Sequence, residues 1–256
     1  MRDLKNPAKR ELRRLLAAVQ YFTQLPSPAW VGHDPTPLED SVRYFPAVGL
    51  VVGALAAAVL LAAHVLWPMT VAVAVSMIAT ILITGALHED GLADAMDGLG
   101  GSFDRGRALE IMKDSRIGVF GAIALGLALL LKFATLSAAP VHTAALLLVA
   151  GHAASRFGVV IIMASLPYAR HTTDSRSTPL AQPVAITSVA IAGVTAVFSL
   201  LPLRLAGVVG AVLVCITCLG WRRYLNHRLG GYTGDCLGAA QQMGECVFYL
   251  ACTAVH

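Results

Sequence analysis

The chain is 256 residues long, 57% hydrophobic and only 13% charged, with a mean hydropathy of +0.70. Soluble domains carry about 25% charged residues, so this composition excludes an ordinary soluble domain and points to a polytopic membrane protein. The net charge of +4 does not signal a nucleic-acid partner, because the Lys and Arg residues form no basic stripe interleaved with aromatics.

The opening "MRDLKNPAKRELRRLL" is charged and no small-residue cleavage site follows it. It reads as a basic arm facing the cytoplasm rather than a signal peptide. Residues 8–22 space Leu12, Leu15, Leu16 and Val19 among basic side chains, the pattern of an amphipathic helix lying on a membrane surface; a solvated arm fits it equally. Residues 1–45 are taken as this interfacial arm and 46–256 as a transmembrane bundle, together one membrane-embedded domain.

A crossing needs about 20 mostly apolar residues, and such runs fall at 46–67, 69–87, 117–137, 141–164, 183–202, 205–221 and 237–254. The expected fold class is therefore all-α, a membrane helical bundle of about seven transmembrane helices plus an N-terminal amphipathic helix. With the N-terminus inside, every Lys and Arg except Lys132, Arg156 and Arg204 falls in an inner segment, as the positive-inside rule requires. Lys132 and Arg204 lie near outer ends, where they are expected to snorkel. This predicts a multi-pass protein of the bacterial inner membrane with three polar segments on its cytoplasmic face. The five cysteines are odd in number and set in apolar contexts, which argues against a disulfide framework. Cys215 and Cys218 form a C-x-x-C, but inside an apolar run that suits helix packing better than redox or metal chemistry.

The first polar segment, "LHEDGLADAMDGLGGSFDRGRALEIMKDSRIGVFG" (87–121), holds Glu89, Asp90, Asp94, Asp97, Asp104, Glu110 and Asp114, seven of the 15 acids. Asp90, Asp94 and Asp97 are spaced to stack along one helix face, where their mutual repulsion calls for a cation. Carboxylate oxygens without thiolate neighbours suit Mg²⁺, or Mn²⁺, better than zinc. A zincin motif is excluded because Leu92 stands where His-Glu-x-x-His needs its second histidine. Mg²⁺ commonly leaves positions for substrate phosphates, which suggests a phosphate or diphosphate substrate. A solvated acidic loop is the plain alternative; the small residues Gly91, Ala93, Ala95 and Gly98 between the acids favour close packing instead.

Further along, Lys113 and Arg116 flank Asp114, and Lys and Arg hold phosphate oxygens as a point charge and as a fork respectively. The last polar segment sets Arg228, Thr233, Asp235, Gln241 and Glu245 in a glycine-rich frame. It contains neither a P-loop nor a dinucleotide fingerprint.

The blocks "FPAVGLVVG", "LHEDGLADAMDG", "RALEIMKDSRIGVFG", "YAR" and "GGYTGDCLGAAQQMGE", in this order, resemble the cobalamin synthase family, the adenosylcobinamide-GDP ribazoletransferases. The resemblance implies an Mg²⁺-dependent membrane enzyme in which a ribose hydroxyl of α-ribazole, or of its 5'-phosphate, attacks adenosylcobinamide-GDP and releases GMP. On this resemblance His88, Asp90, Asp94 and Asp97 carry the acidic motif, with Glu89 a secondary metal ligand. Lys113, Asp114 and Arg116 carry the basic motif, and Thr233, Asp235 and Glu245 the C-terminal one, with Cys236 where the family often has threonine. Arg228 is then a further charge neutraliser, while Asp235, Glu245 and His88 are the candidate bases. Arg156, mid-span with His152 one turn before it, is either a partner for a carboxylate or a phosphate ligand. The implied partners are the two substrates and the lipid bilayer; a homo-oligomer and association with other enzymes of the pathway stay open. The competing enzyme readings are a CDP-alcohol phosphotransferase, whose motif lacks its arginine here because Ala95 and Met96 follow Asp94, and a prenyltransferase, which would need a second acidic motif. A cation-coupled transporter would need inverted repeats, which the sequence lacks.

Overall fold

The computed structural model describes residues 7–32, 40–170 and 182–255; Arg2, Lys5 and Arg176, counted among the inner cations, lie outside them. The described residues form helices, with one isolated parallel bridge between Tyr168 and Tyr232. In chain order these are α1 (Pro7–Phe22), α2 (Phe45–His64), α3 (Met69–Thr84), α4 (Leu87–Gly101), α5 (Arg105–Ile111), α6 (Val119–Ala138), α7 (Val141–Ser165), α8 (Ile186–Leu200), α9 (Arg204–Leu229) and α10 (Gly234–Val255). The all-α class is as expected.

Helices α7 and α10 make the centre. Of α7's most apolar window 78% is buried, against 22% for α6, because α7 is surrounded by α2, α8, α9 and α10 while α6 keeps a broad face outward. Small residues let backbones meet, as in membrane helix pairs generally. Gly49 and Gly53 of α2 lie on the α7 backbone, and a Cβ on Gly53 would stand 2.7 Å from the Leu148 carbonyl oxygen. Gly91 of α4 and Gly238 of α10 meet in the same way, each Cα 3.1 Å from where the other's Cβ would be.

The acidic segment is not a loop. Helix α3 stops at Gly85 and Ala86, both left-handed (φ 63° and 58°), with the Ala86 N–H closing on the Ile81 carbonyl at 3.0 Å, a glycine-type helix stop. The chain turns through 86° and continues as α4, whose buried face rests on α10 and α6. This corrects the span expected at 69–87, which is a 16-residue helix. The segments 41–64, 119–138 and 141–165 are each long and apolar enough to cross a membrane, as is the stretch 186–229, and α3 with α4 passes only as a bent pair. Among the described residues that makes four, or five, rather than seven; 186–229 has 44 residues, is broken by a 3-10 turn at Leu201–Leu203 and by Arg204 at φ 51°, and is long enough for two passes of about 20 residues. Helix α10 does not qualify because Asp235, Glu245 and two glutamines dilute its apolar content.

Two charged residues, one basic and one acidic, also depart from expectation. Lys132 does not snorkel: it is 6% exposed, with Nζ 2.5 Å from Glu245 and 2.6 Å from the Gln242 side-chain oxygen. Asp97, expected as a metal ligand, has a helix-capping role: its two oxygens accept from the backbone N–H groups of Gly118 at 2.6 Å and Gly121 at 2.8 Å. It closes the N-terminus of α6, where four N–H groups have no intrahelical partner.

Replacing Gly53 by Leu forces α2 off α7, and we expect a loss of about 1–3 kcal/mol, read as a lower unfolding temperature of the detergent-solubilised protein. Asp97→Ala removes the α6 cap and should cost about 1–2 kcal/mol in the same measurement, while Asp97→Asn, which keeps one acceptor, should lose less.

Candidate active site

A cavity of about 820 Å³ lies between α1, α2, α4, α5, α7 and α10, within the size range of small-molecule sites. Its position follows from local structure. Thr233 accepts from the Cys236 N–H at 3.3 Å and so starts α10 with a hydroxyl cap. The bridge Tyr232 N–H to Pro167 O (3.0 Å) and Ala169 N–H to Tyr232 O (2.8 Å) sets the end of α7 alongside, and Arg170 reaches Asp235 at 2.7 Å. Arg105, at the start of α5, ties to the carbonyls of Leu229 (2.7 Å) and Ala169 (2.8 Å). Backbone capture thus fixes the basic wall.

The lining carries both signs. Asp90 and Asp235 face Arg105, Lys113 and Arg170, with Arg156 and Gln241 deeper, while α1 and α2 supply Tyr21, Phe22 and Phe45. Burial pushes the Asp235 carboxyl up from the usual carboxylate range, opposed by the Arg170 charge and the Thr233 hydroxyl, 3.2 Å away. Partial burial first, and then the like charges of Asp90, Asp235 and Asp97, push the carboxyl of Asp94 on the next turn up. His88 is 5% exposed and stacks on Phe22 with centroids 5.9 Å apart.

The remaining expected residues are placed elsewhere. Glu89 turns away from the cavity to accept from the Gln242 amide at 2.9 Å, because on a helix it points about 100° from Asp90. Glu245 is not part of the lining; it is buried beside Lys132, His152 (Nδ1 at 2.5 Å), Gln241 and Arg156 (3.8 Å). Asp114 and Arg116 hold each other at 2.6 Å on the surface, Arg116 being 86% exposed, and this pairing keeps the Asp114 carboxyl low, at about 2. Arg228 donates to the carbonyls of Leu99 (3.0 Å) and Ser102 (2.5 Å) and lies over the Phe103 ring, so it closes the C-terminus of α4. Thr233 acts as the cap described above. Sequence spacing gave no site role to Arg105, Arg170, Tyr21 or Phe22; the last two show only as the C-terminal residues of an amphipathic helix, Arg105 only as an inner cation, and Arg170 as an inner cation within the block "YAR".

Among the described residues no three His, Cys, Asp or Glu side chains are gathered closely enough to hold an ion between them. The donor set that remains after Asp97 and Glu89 are engaged is Asp90 with Asp94, one helical turn apart. Two hard carboxylates suit Mg²⁺, which takes one or two protein carboxylates and completes its shell with water and substrate phosphate.

Residues 14–253 match the family described as cobalamin-5-phosphate synthase. The chain is 42% identical over 249 residues to the adenosylcobinamide-GDP ribazoletransferase of Shewanella amazonensis, covering 94% of this chain and 95% of that one. It is 46% identical over 246 residues to that of Ralstonia pickettii, covering 94% of each, and 47% identical over 241 residues to that of Ralstonia nicotianae, covering 91% and 92%. No solved structure matches the chain. A match over nearly the whole length, with the acidic and basic blocks brought together on one cavity, makes this chain a member of the cobalamin-5-phosphate synthase family.

Proposed function

We propose that the chain transfers the adenosylcobinamide phosphate moiety of adenosylcobinamide-GDP to α-ribazole or α-ribazole 5'-phosphate, the step that assembles the nucleotide loop of cobalamin. The observation that carries this reading is the cavity in which Asp90 and Asp235 face Arg105, Lys113 and Arg170, in a chain whose relatives bear that activity in their names.

The ribose hydroxyl oxygen of the acceptor forms a bond to the cobinamide-proximal phosphorus. The bond from that phosphorus to the bridging oxygen breaks, GMP leaves with the bridging oxygen, and the hydroxyl proton is released. Such transfers need positioning and charge stabilisation more than covalent help. Lys113, Arg105 and Arg170 neutralise the charge on the departing GMP. Asp235 is the acceptor for the hydroxyl proton, since its raised affinity for protons suits a general base; His88, stacked on Phe22, orients at the cavity edge. Asp90 and Asp94 would hold Mg²⁺, or Mn²⁺, which when bound would supply charge neutralisation for the diphosphate. The membrane helices belong to the bacterial inner membrane, with the N-terminus and the cavity mouth on the cytoplasmic side.

Purified protein given adenosylcobinamide-GDP and α-ribazole should release GMP; chelation with EDTA should stop release, and added Mg²⁺ should restore it. Asp94→Asn should retain expression and lose about 100-fold or more in turnover, the scale of removing one preorganised electrostatic group; near-wild-type turnover at saturating substrate would overturn the metal assignment. A cysteine at Ser115, labelled by an impermeant maleimide, should react in inverted but not in right-side-out vesicles.

A further inference from the structure

Arg156 sits at the floor of the cavity, below the level at which the diphosphate reacts. Helix α10 measures the depth: Asp235 is in its first turn and Gln241 six residues on, about 9 Å deeper at the rise of an α-helix. Gln241 and Arg156 both line the cavity, and Ser155 packs on Gly244 of the same helix.

Arg156 is 2% exposed. Its Nη1 donates to the His152 carbonyl at 3.1 Å. His152 Nδ1 lies 2.5 Å from Glu245, so that ring nitrogen carries its proton toward the carboxylate and does not accept from Arg156. Glu245 is further engaged by Lys132 and Gln241 and stands 3.8 Å from Arg156. Arg156 is therefore the least compensated member of the group, and its Nε and Nη2 are buried without a protein partner. Unused N–H groups on a buried cation are costly, and the planar guanidinium fork matches phosphate oxygens two at a time.

We propose that Arg156 is the specificity-determining residue for the acceptor: its guanidinium binds the phosphate monoester on the acceptor's ribose that the family's description, cobalamin-5-phosphate synthase, implies, and so sets this acceptor apart from the free nucleoside. This rests on the transfer reaction proposed above. The donor diphosphate is the other source of phosphate in the cavity, but a single P–O–P linkage held beside Asp90 and Lys113 does not extend to the floor.

The test measures GMP release by wild-type and Arg156→Lys proteins at saturating adenosylcobinamide-GDP, with α-ribazole and α-ribazole 5'-phosphate as separate acceptors. The wild type should favour the phosphorylated acceptor in kcat/KM, and Arg156→Lys should reduce that preference about tenfold or more, the scale of a charge-assisted hydrogen bond, through a higher KM for the phosphorylated acceptor. An unchanged preference, an equal fall with both acceptors, or a rise confined to the donor KM overturns the assignment. A readout that needs no variant is inhibition of the wild type by inorganic phosphate, expected to be competitive with the phosphorylated acceptor; competition with the donor alone overturns it. Absence of GMP release from the wild type with either acceptor would reject the transfer reaction itself, and the assignment with it.

Discussion

A carboxylate inside an apolar bundle has to be met by opposite charge, and Glu245, 2% exposed, is the point at which this bundle satisfies that demand. Lys132 comes to it from α6, and His152 and Arg156 from α7. Gln242 on its own helix carries the network across to Glu89 of α4. Ion pairs of this kind contribute little net stability once desolvation is counted, yet removing one partner leaves a buried charge unmatched. Their effect is on register: α4, α6, α7 and α10 meet at one depth and in one rotation, and the cavity walls follow from that.

Backbone contact does the rest of the positioning. Where Gly91 meets Gly238, α4 lies close enough to α10 for Asp90 and Asp235 to share one cavity. The 86° turn after α3 aims α4 there, and Arg228 and Asp97 tie its C-terminal half to α9 and α6. The acids of the polar segment are thereby divided. Asp90 lines the cavity with Asp94 one turn further on, Asp97 closes a helix, Glu89 joins the buried network, and Asp114 is paired on the surface.

The cavity combines an aromatic wall from the amphipathic N-terminal helix with a charged wall from the bundle. A ligand with planar rings and phosphates, as in a nucleotide, has complementary surfaces on both sides. Because Tyr21 and Phe22 belong to α1, held to the bundle through Ser41 to the Arg14 carbonyl (2.8 Å) and Tyr44 to Glu11 (2.6 Å), the amphipathic first helix is part of the cavity wall.

The sequence by itself determined the all-helical membrane class, the amphipathic first helix, the family, and the two polar blocks that meet at the site. These follow from local quantities, namely the length of apolar runs, helical spacing and the order of specific residues. It misjudged what depends on rotation and depth. Lys132 read as an interfacial cation because its position along the span was visible and its facing toward Glu245 was not, and Glu245 read as a candidate base because its block is polar. Asp97 shares the spacing of Asp90 and Asp94, but its partners Gly118 and Gly121 lie more than 20 residues away. Arg105 was visible only as a charge on the inner side and Arg170 only as that and as part of the block "YAR"; the Tyr168–Tyr232 bridge sets Arg170 beside Asp235, and the Ala169 and Leu229 carbonyls hold Arg105. Which side chains share a cavity and which neutralise each other in the bundle was decided by the tertiary structure, because in a low-dielectric interior a charge is governed by the partners that packing brings within a few ångströms.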